Sequence, residues 1–158
     1  MASIIKVDQI LDGNGNQFDG SQLGNVGKVL QSKVIKDPYF ITTTSSSFVT
    51  IATISIDNVK SSSDIQIEAH INHLIENSTV GTYAIFKGST ELARAIHWTS
   101  GNGGWRQPLN SFIGVDIAPS DGTNTYTIRM MTSGATIYYN YSGAQGSYSY
   151  YRLMEIGA

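Results

Sequence analysis

Thr125-Tyr126-Thr127-Ile128-Arg129-Met130, then Ala135 to Tyr141, then Tyr148-Ser149-Tyr150-Tyr151-Arg152-Leu153-Met154-Glu155-Ile156 follow one another in the last third of the chain, separated by turn residues and almost free of charge. In the first run Tyr126, Ile128 and Met130 alternate with polar neighbours, the period of two that lays one face of a strand on a core. The last run is apolar at both parities. Tyr148, Tyr150, Met154 and Ile156 fall on one face, Tyr151 and Leu153 on the other. Only one face of a sandwich sheet meets the core, so a second apolar face asks for cover from outside the chain. Tyr151 and Leu153 are therefore expected at a subunit interface.

Upstream, the same alternation recurs. Phe48 to Ile56 gives β-branched alternation over nine residues, and Ile65, Ile67, Ala69 and Ile71 line one face of a run whose other face is Gln66, Glu68, His70 and Asn72. Tyr83 to Phe86 and Leu92 to Trp98 flank Lys87-Gly88-Ser89-Thr90, a hairpin turn supplied by glycine. Lys28 to Ile35 and Leu109 to Asp116 read as further strands, and Thr42 to Ser47 as a hydroxyl-rich connector. Nine or so short strands with no helical stripe predict an all-β chain, an antiparallel β-sandwich of jelly-roll type. The segment 1–27 holds a short strand-like run, Ser3 to Ile10, and turn-rich glycines, but too few apolar residues for a core. Two units follow: an extended N-terminal arm, 1–27, and a sandwich body, 28–158.

Composition narrows the function. With 158 residues one domain and an arm suffice, and a charged fraction of 14% with net charge -2 gives no basic footprint for nucleic acid or an anionic membrane. The start has no apolar leader and no later run reaches membrane-spanning length, so the expectation is a chain made in a cytoplasm, without membrane insertion. Cysteine is absent, which excludes disulfides, cysteine zinc sites and thiol nucleophiles.

Motifs that carry chemistry fail on inspection. His70 and His73 stand three apart in an alternating run, so they fall on opposite faces and do not share a metal. Asp12-Gly13-Asn14-Gly15-Asn16 opens like a calcium loop, yet Gln17 stands where glycine is needed and Leu23 where a bidentate glutamate belongs. Gly101-Asn102-Gly103-Gly104 lacks the Gly-Lys-Ser/Thr of a phosphate loop, and Glu68, Glu76, Glu91, Asp116, Asp121 and Glu155 are scattered rather than paired across a substrate. The expectation is a protein without catalytic site, metal or cofactor. His97 reads as an ordinary surface or interface histidine, and the sequons at Asn77 and Asn140 as chance matches in a Ser- and Thr-rich chain. Trp98, Trp105 and Arg106 bracket a loop and form a candidate glycan-binding set, rings to stack on sugars and a guanidinium to donate. The tyrosines are better accounted for by packing.

Ser3-Ile4-Ile5-Lys6-Val7-Asp8-Gln9-Ile10, Asp12-Gly13-Asn14-Gly15 and Gly27-Lys28-Val29-Leu30-Gln31 at one end, and Leu153-Met154-Glu155-Ile156 at the other, resemble the ends of small tail-fibre-like and other virion structural proteins of tailed bacteriophages, notably marine and cyanobacterial ones. Phe48 to Ile71, Lys87 to Leu92 and Thr123 to Tyr126 resemble their strands and turns. The resemblance covers nearly the whole chain, but its motifs are short and structural. It implies a homotrimer of jelly rolls with C1q- or tumour-necrosis-factor-like bodies, in which Ile4, Ile5, Val7, Ile10 and Leu11 of the arm dock onto tail or capsid proteins. One role open to such a protein is adhesion, with distal loops around Trp98 to Arg106 in contact with host glycans. No shaft of repeats separates arm from body, which leaves a short fibre tip, a head fibre and a capsid decoration protein as possible roles.

Overall fold

A computed structural model of the chain describes residues 27–75, 80–98, 109–141 and 148–157. Among these residues ten strands run in order: β1 (Val29–Asp37), β2 (Ile41–Thr43), β3 (Val49–Val59), β4 (Ser63–Ile75), β5 (Val80–Lys87), β6 (Thr90–Trp98), β7 (Leu109–Asp116), β8 (Gly122–Thr132), β9 (Ile137–Tyr139) and β10 (Ser149–Gly157). Every pairing is antiparallel and the pairs are nested, with β5 on β6, β4 on β7, β3 on β8, β2 on β9 and β1 on β10. That is one long hairpin whose tip is the turn between Lys87 and Thr90, where Gly88 takes a φ of 59°. Rolled on itself, the ribbon brings β10 and β9 onto β4 and β8 onto β5. The result is a four-stranded sheet, β3-β8-β5-β6, and a six-stranded sheet, β1-β10-β4-β9-β2 with β7 also on β4. This is the jelly-roll wrapping of a β-sandwich.

The core lies between the sheets. Ile65, Ile67, Ala69 and Ile71 of β4 face Tyr83 and Ile85 of β5 and Tyr126, Ile128 and Met130 of β8, all buried. Each fully buried aliphatic contributes roughly 1.5–3 kcal/mol, so these few strands hold most of the stability. The sheets close tightly where β6 meets β7: a Cβ on Gly114 would sit 3.2 Å from the Ala93 Cβ.

Tyr151 and Leu153 are corrected by this packing. Both are fully buried in the chain's own core, against β4 partners Ala69 and Ile67, rather than on a surface another copy covers. The parity was ambiguous because Glu155 shares their face. Its carboxylate is nonetheless buried, accepting from the Lys60 N–H at 2.8 Å and the Gln31 amide at 2.7 Å. The stretch expected to be a connector also carries β2, three residues long.

Candidate functional site

Because β10 turns Tyr151 and Leu153 inward, Tyr150, Arg152, Met154 and Ile156 point out from the six-stranded sheet. Register then aligns outward residues across four strands. One row reads Lys36, Tyr150, His70, Ser111; the next Val34, Arg152, Glu68, Ile113; the third Ser32, Met154, Gln66, Val115. The flanks are apolar and wet: Val34 is 63% exposed, Ile113 56%, Val115 45% and Ile117, just beyond β7, 77%. The middle is polar, with Arg152 Nη1 at 3.5 Å and His70 Nε2 at 4.0 Å from Glu68.

The opposite outer face is sealed over β5, though not over β6, where Ile96 and Trp98 stand exposed. Thr82, Ala84 and Phe86 point away from the core on β5, yet all three are buried. Phe48 packs edge-on against Phe86 at 5.2 Å and the Arg129 guanidinium covers the Phe86 ring at 4.2 Å. The four-stranded sheet therefore covers the outward apolar residues of β5 with side chains of the same chain, and the six-stranded sheet leaves those of its flanks in water. Contiguous exposed apolar surface rimmed by charge is what interaction sites look like.

His70 Nδ1 lies 2.8 Å from Ser111 Oγ on this face, with Glu68 beside it. The likeness to a serine hydrolase stops there. Glu68 stands beyond hydrogen-bonding distance of the imidazole and is engaged by Arg152 and, at 3.2 Å, by the Gln66 amide. A charge-relay geometry requires the carboxylate to orient the ring. The arrangement is a polar cross-strand ladder.

Trp98 ends β6 with its side chain 74% exposed, next to the equally outward Ile96. Trp105 and Arg106 lie outside the described residues, as do Ile4, Ile5, Val7, Ile10 and Leu11 of the arm, the Asp12 loop, the 101–104 glycine loop and the Asn77 sequon. Asn140 is buried; its amide donates to the carbonyls of Asp37 at 2.7 Å and Tyr39 at 3.0 Å, which leaves no amide for a glycan. His70 and His73 do fall on opposite faces, the first half-exposed and the second fully buried.

Sequence reasoning missed a buried polar seam between the sheets. Tyr151 donates to the Tyr139 hydroxyl at 2.6 Å, and Tyr139 donates to the Asp37 carboxylate at 2.6 Å. Burial and then the bond to Asp37 push the Tyr139 phenol well above its usual range. Beyond them the His73 ring lies 4.9 Å from that of Tyr83 and 5.3 Å from that of His97. Neither nitrogen of His73 nor the Tyr83 hydroxyl has a hydrogen-bond partner among the described residues. Burial, then the neighbouring His97, push His73 down to about 3, so it is neutral at pH 7. The alternation from Ile65 to Ile71 already puts His73 on the core face, but it does not show which Tyr and His side chains would gather around it.

No protein-family model matches the chain. No curated protein matches it either. Among solved structures it is similar to VP2 in the subviral particle of infectious bursal disease virus, with a TM-score of 0.51 and 12% identity over 99% of this chain and 37% of that one. What the two share is a fold. The chain thus spans little more than a third of the VP2 chain's length. Weaker likenesses join it to the infectious bursal disease virus Gx strain structure (TM-score 0.45, 10% identity, 99% of this chain and 41% of that one) and to pili of Bacillus endospore appendages (TM-score 0.38, 13% identity, 80% and 90%).

Proposed function

We propose that the chain is a non-enzymatic structural protein of a virus particle, a homotrimer on the surface of a tailed-bacteriophage virion that serves as a tail-fibre or spike component in host attachment. The observation that carries this reading is the outer face of the six-stranded sheet, where Val34, Ile113, Val115 and Ile117 stand in water around the Arg152–Glu68 pair. Its flanks differ: Lys36, Val34 and Arg152 lie towards β1, and Glu68, Ile113 and Val115 towards β7. Set one flank of a copy on the other flank of the next and apolar residues meet apolar ones, while cations meet a carboxylate. Such a contact is heterologous, and where its rotation closes it makes a ring, of which the trimer is the smallest. The fold shared with VP2 and the resemblance of both chain ends to phage structural proteins support the same reading.

In the particle, Ile4, Ile5, Val7, Ile10 and Leu11 attach the trimer to tail or capsid proteins, ordering by strand addition and burial. Trp98, with Trp105 and Arg106, is the surface offered to a host glycan. Its 74% exposure on an outward position favours a lectin-like contact at that end of the sandwich. The alternative role is a decoration or head-fibre protein that cements the capsid. Copy number separates the two: a few trimers per particle mean tail, hundreds of chains mean capsid. Removing residues 1–27 should abolish incorporation into particles while leaving the sandwich folded. Unchanged incorporation would refute the attachment role.

A further inference from the structure

The sandwich is shut on one side and open on the other. Along β6 and β7 the backbones approach closely at Gly114. Along β1 and β3 they do not. Lys33 and Ile35 of β1 pair with Leu153 and Tyr151, both fully buried, and so point to the core, yet Lys33 is exposed and Ile35 half-exposed. Between these two strands lies a groove of about 220 Å³ with Ile51, Ile54 and Tyr151 on its floor and Ile35, Asp37 and Tyr39 on its rim. Both flanking strands have a free backbone edge there, since among the described residues β1 pairs only with β10 and β3 only with β8. A groove with a half-exposed Ile35 on its wall, between two unpaired edges, is a seat for one more strand.

We infer that the seat takes the N-terminal run Ile4 to Leu11 of a neighbouring copy. This inference rests on the self-assembly reading above and names the partner of the arm in the free trimer, before the run passes to tail or capsid proteins. The run alternates imperfectly but serves: Ile5, Val7 and Leu11 share one face of a strand with Gln9, to enter the groove, and Lys6 and Asp8 share the other with Ile4 and Ile10. The chain outside the described residues also has the reach. From Gly27, where β1 is tied to Gly157 by a 2.6 Å hydrogen bond, back to Leu11 it extends up to about 55 Å. That is about twice the length of β1, enough to leave its own body and meet the next. An arm exchanged in this way adds backbone hydrogen bonds and buries apolar side chains without any change in the sandwich. It links copies in the order in which the ring places them.

The absence of cysteine makes the test direct. Two single-cysteine proteins, Lys6→Cys on the solvent side of the arm and Thr53→Cys beside the groove, are mixed at micromolar concentration with a short bismaleimide. Any covalent dimer joining them is intermolecular. The expected result is cross-linking at least roughly tenfold faster than between Lys6→Cys and Ser89→Cys, a control in the distant β5–β6 turn, because a docked arm raises the local concentration. Adding Val7→Asp to the arm variant should remove the excess. Equal rates for Thr53→Cys and Ser89→Cys would overturn the inference. So would a double variant, Lys6→Cys with Thr53→Cys, that closes within one chain faster than between chains. Measuring the mass of the intact chain in the same buffer separates the two failures. A ring that persists with background cross-linking sinks only the arm exchange, whereas a monomer sinks the assembly reading itself.

Discussion

Tyr151 and Tyr139 meet hydroxyl to hydroxyl at 2.6 Å in the middle of the sandwich, and the second passes the bond on to Asp37 at 2.6 Å. This short relay ties β10, β9 and the end of β1 together, and it gives every buried polar group in it a partner.

Tyr139→Phe should therefore cost more than Tyr151→Phe. The first leaves a buried carboxylate without its shortest donor and strands the Tyr151 hydroxyl, for about 1–3 kcal/mol. The second removes only the terminal donor, for about 0.5–1.5 kcal/mol. Urea unfolding of the two variants checks the order, and the reverse order would show that the relay runs the other way.

The second expectation concerns acid. His73 is fully buried and pushed down to about 3, against 6.5 in an open chain. Below pH 6.5 the unfolded state binds a proton that the folded state refuses, so stability falls as pH falls. The loss is about 1.4 kcal/mol for each pH unit down to about 3. Tyr83 and His97 pack on the ring, and neither supplies a negative charge to relieve it. Between pH 6.5 and 4.5 the slope should be steep in the native chain and much flatter in His73→Phe. Unfolding midpoints across that window measure it, and identical slopes would contradict the account.

A third expectation concerns the hairpin tip. Lys87 Nζ lies 2.7 Å from the buried Asp116 carboxylate, which also accepts from the Tyr126 hydroxyl at 2.7 Å and the Ala118 N–H at 3.3 Å. Burial alone would raise Asp116, but these bonds, Lys87 first, outweigh it and hold the carboxyl below its ordinary value. A depressed carboxylate contributes stability above its unfolded pKa and loses it as pH falls through the folded one. Lys87→Met should cost about 1–3 kcal/mol at pH 7 and shift the loss of this contribution to higher pH. Thermal unfolding at pH 7 and pH 3 reads both effects.

Much of this fold was legible. Leu109 to Asp116 reads as a strand from its sequence and is β7 residue for residue, and the alternation from Ile65 to Ile71 places the core face of β4 correctly. Three things were not. The hydroxyls of Thr42 and Thr43 hide β2, whose three residues are held by pairing with β9 rather than by their own pattern. The inward parity of β10 was unreadable because both its faces are apolar and the buried one carries Glu155, whose partners lie far away in sequence at Gln31 and Lys60. The candidate surface shared that fate: Val34, Ile113 and Val115 become neighbours of Arg152 and Glu68 only through pairing across four strands.

Closure of the sandwich gives a fourth expectation. A side chain at Gly114 would press on the Ala93 Cβ at 3.2 Å, which cannot swing clear of its backbone, and on the Ile85 Cδ1 at 3.3 Å. Gly114→Val should destabilise by about 1–3 kcal/mol, against nearly nothing for Gly88→Asn in the open turn, where φ is positive but the space is empty. Equal losses at both sites would mean that β6 and β7 do not meet as described.

Self-assembly through the open sheet face is tested most directly by the mass of the intact chain in solution. Sedimentation equilibrium at micromolar concentration should return about three times 17.1 kDa, and Val34→Asp with Ile113→Asp should return a folded single chain. A native chain that stays at 17.1 kDa across that range, or a double variant that remains a trimer, would contradict the account.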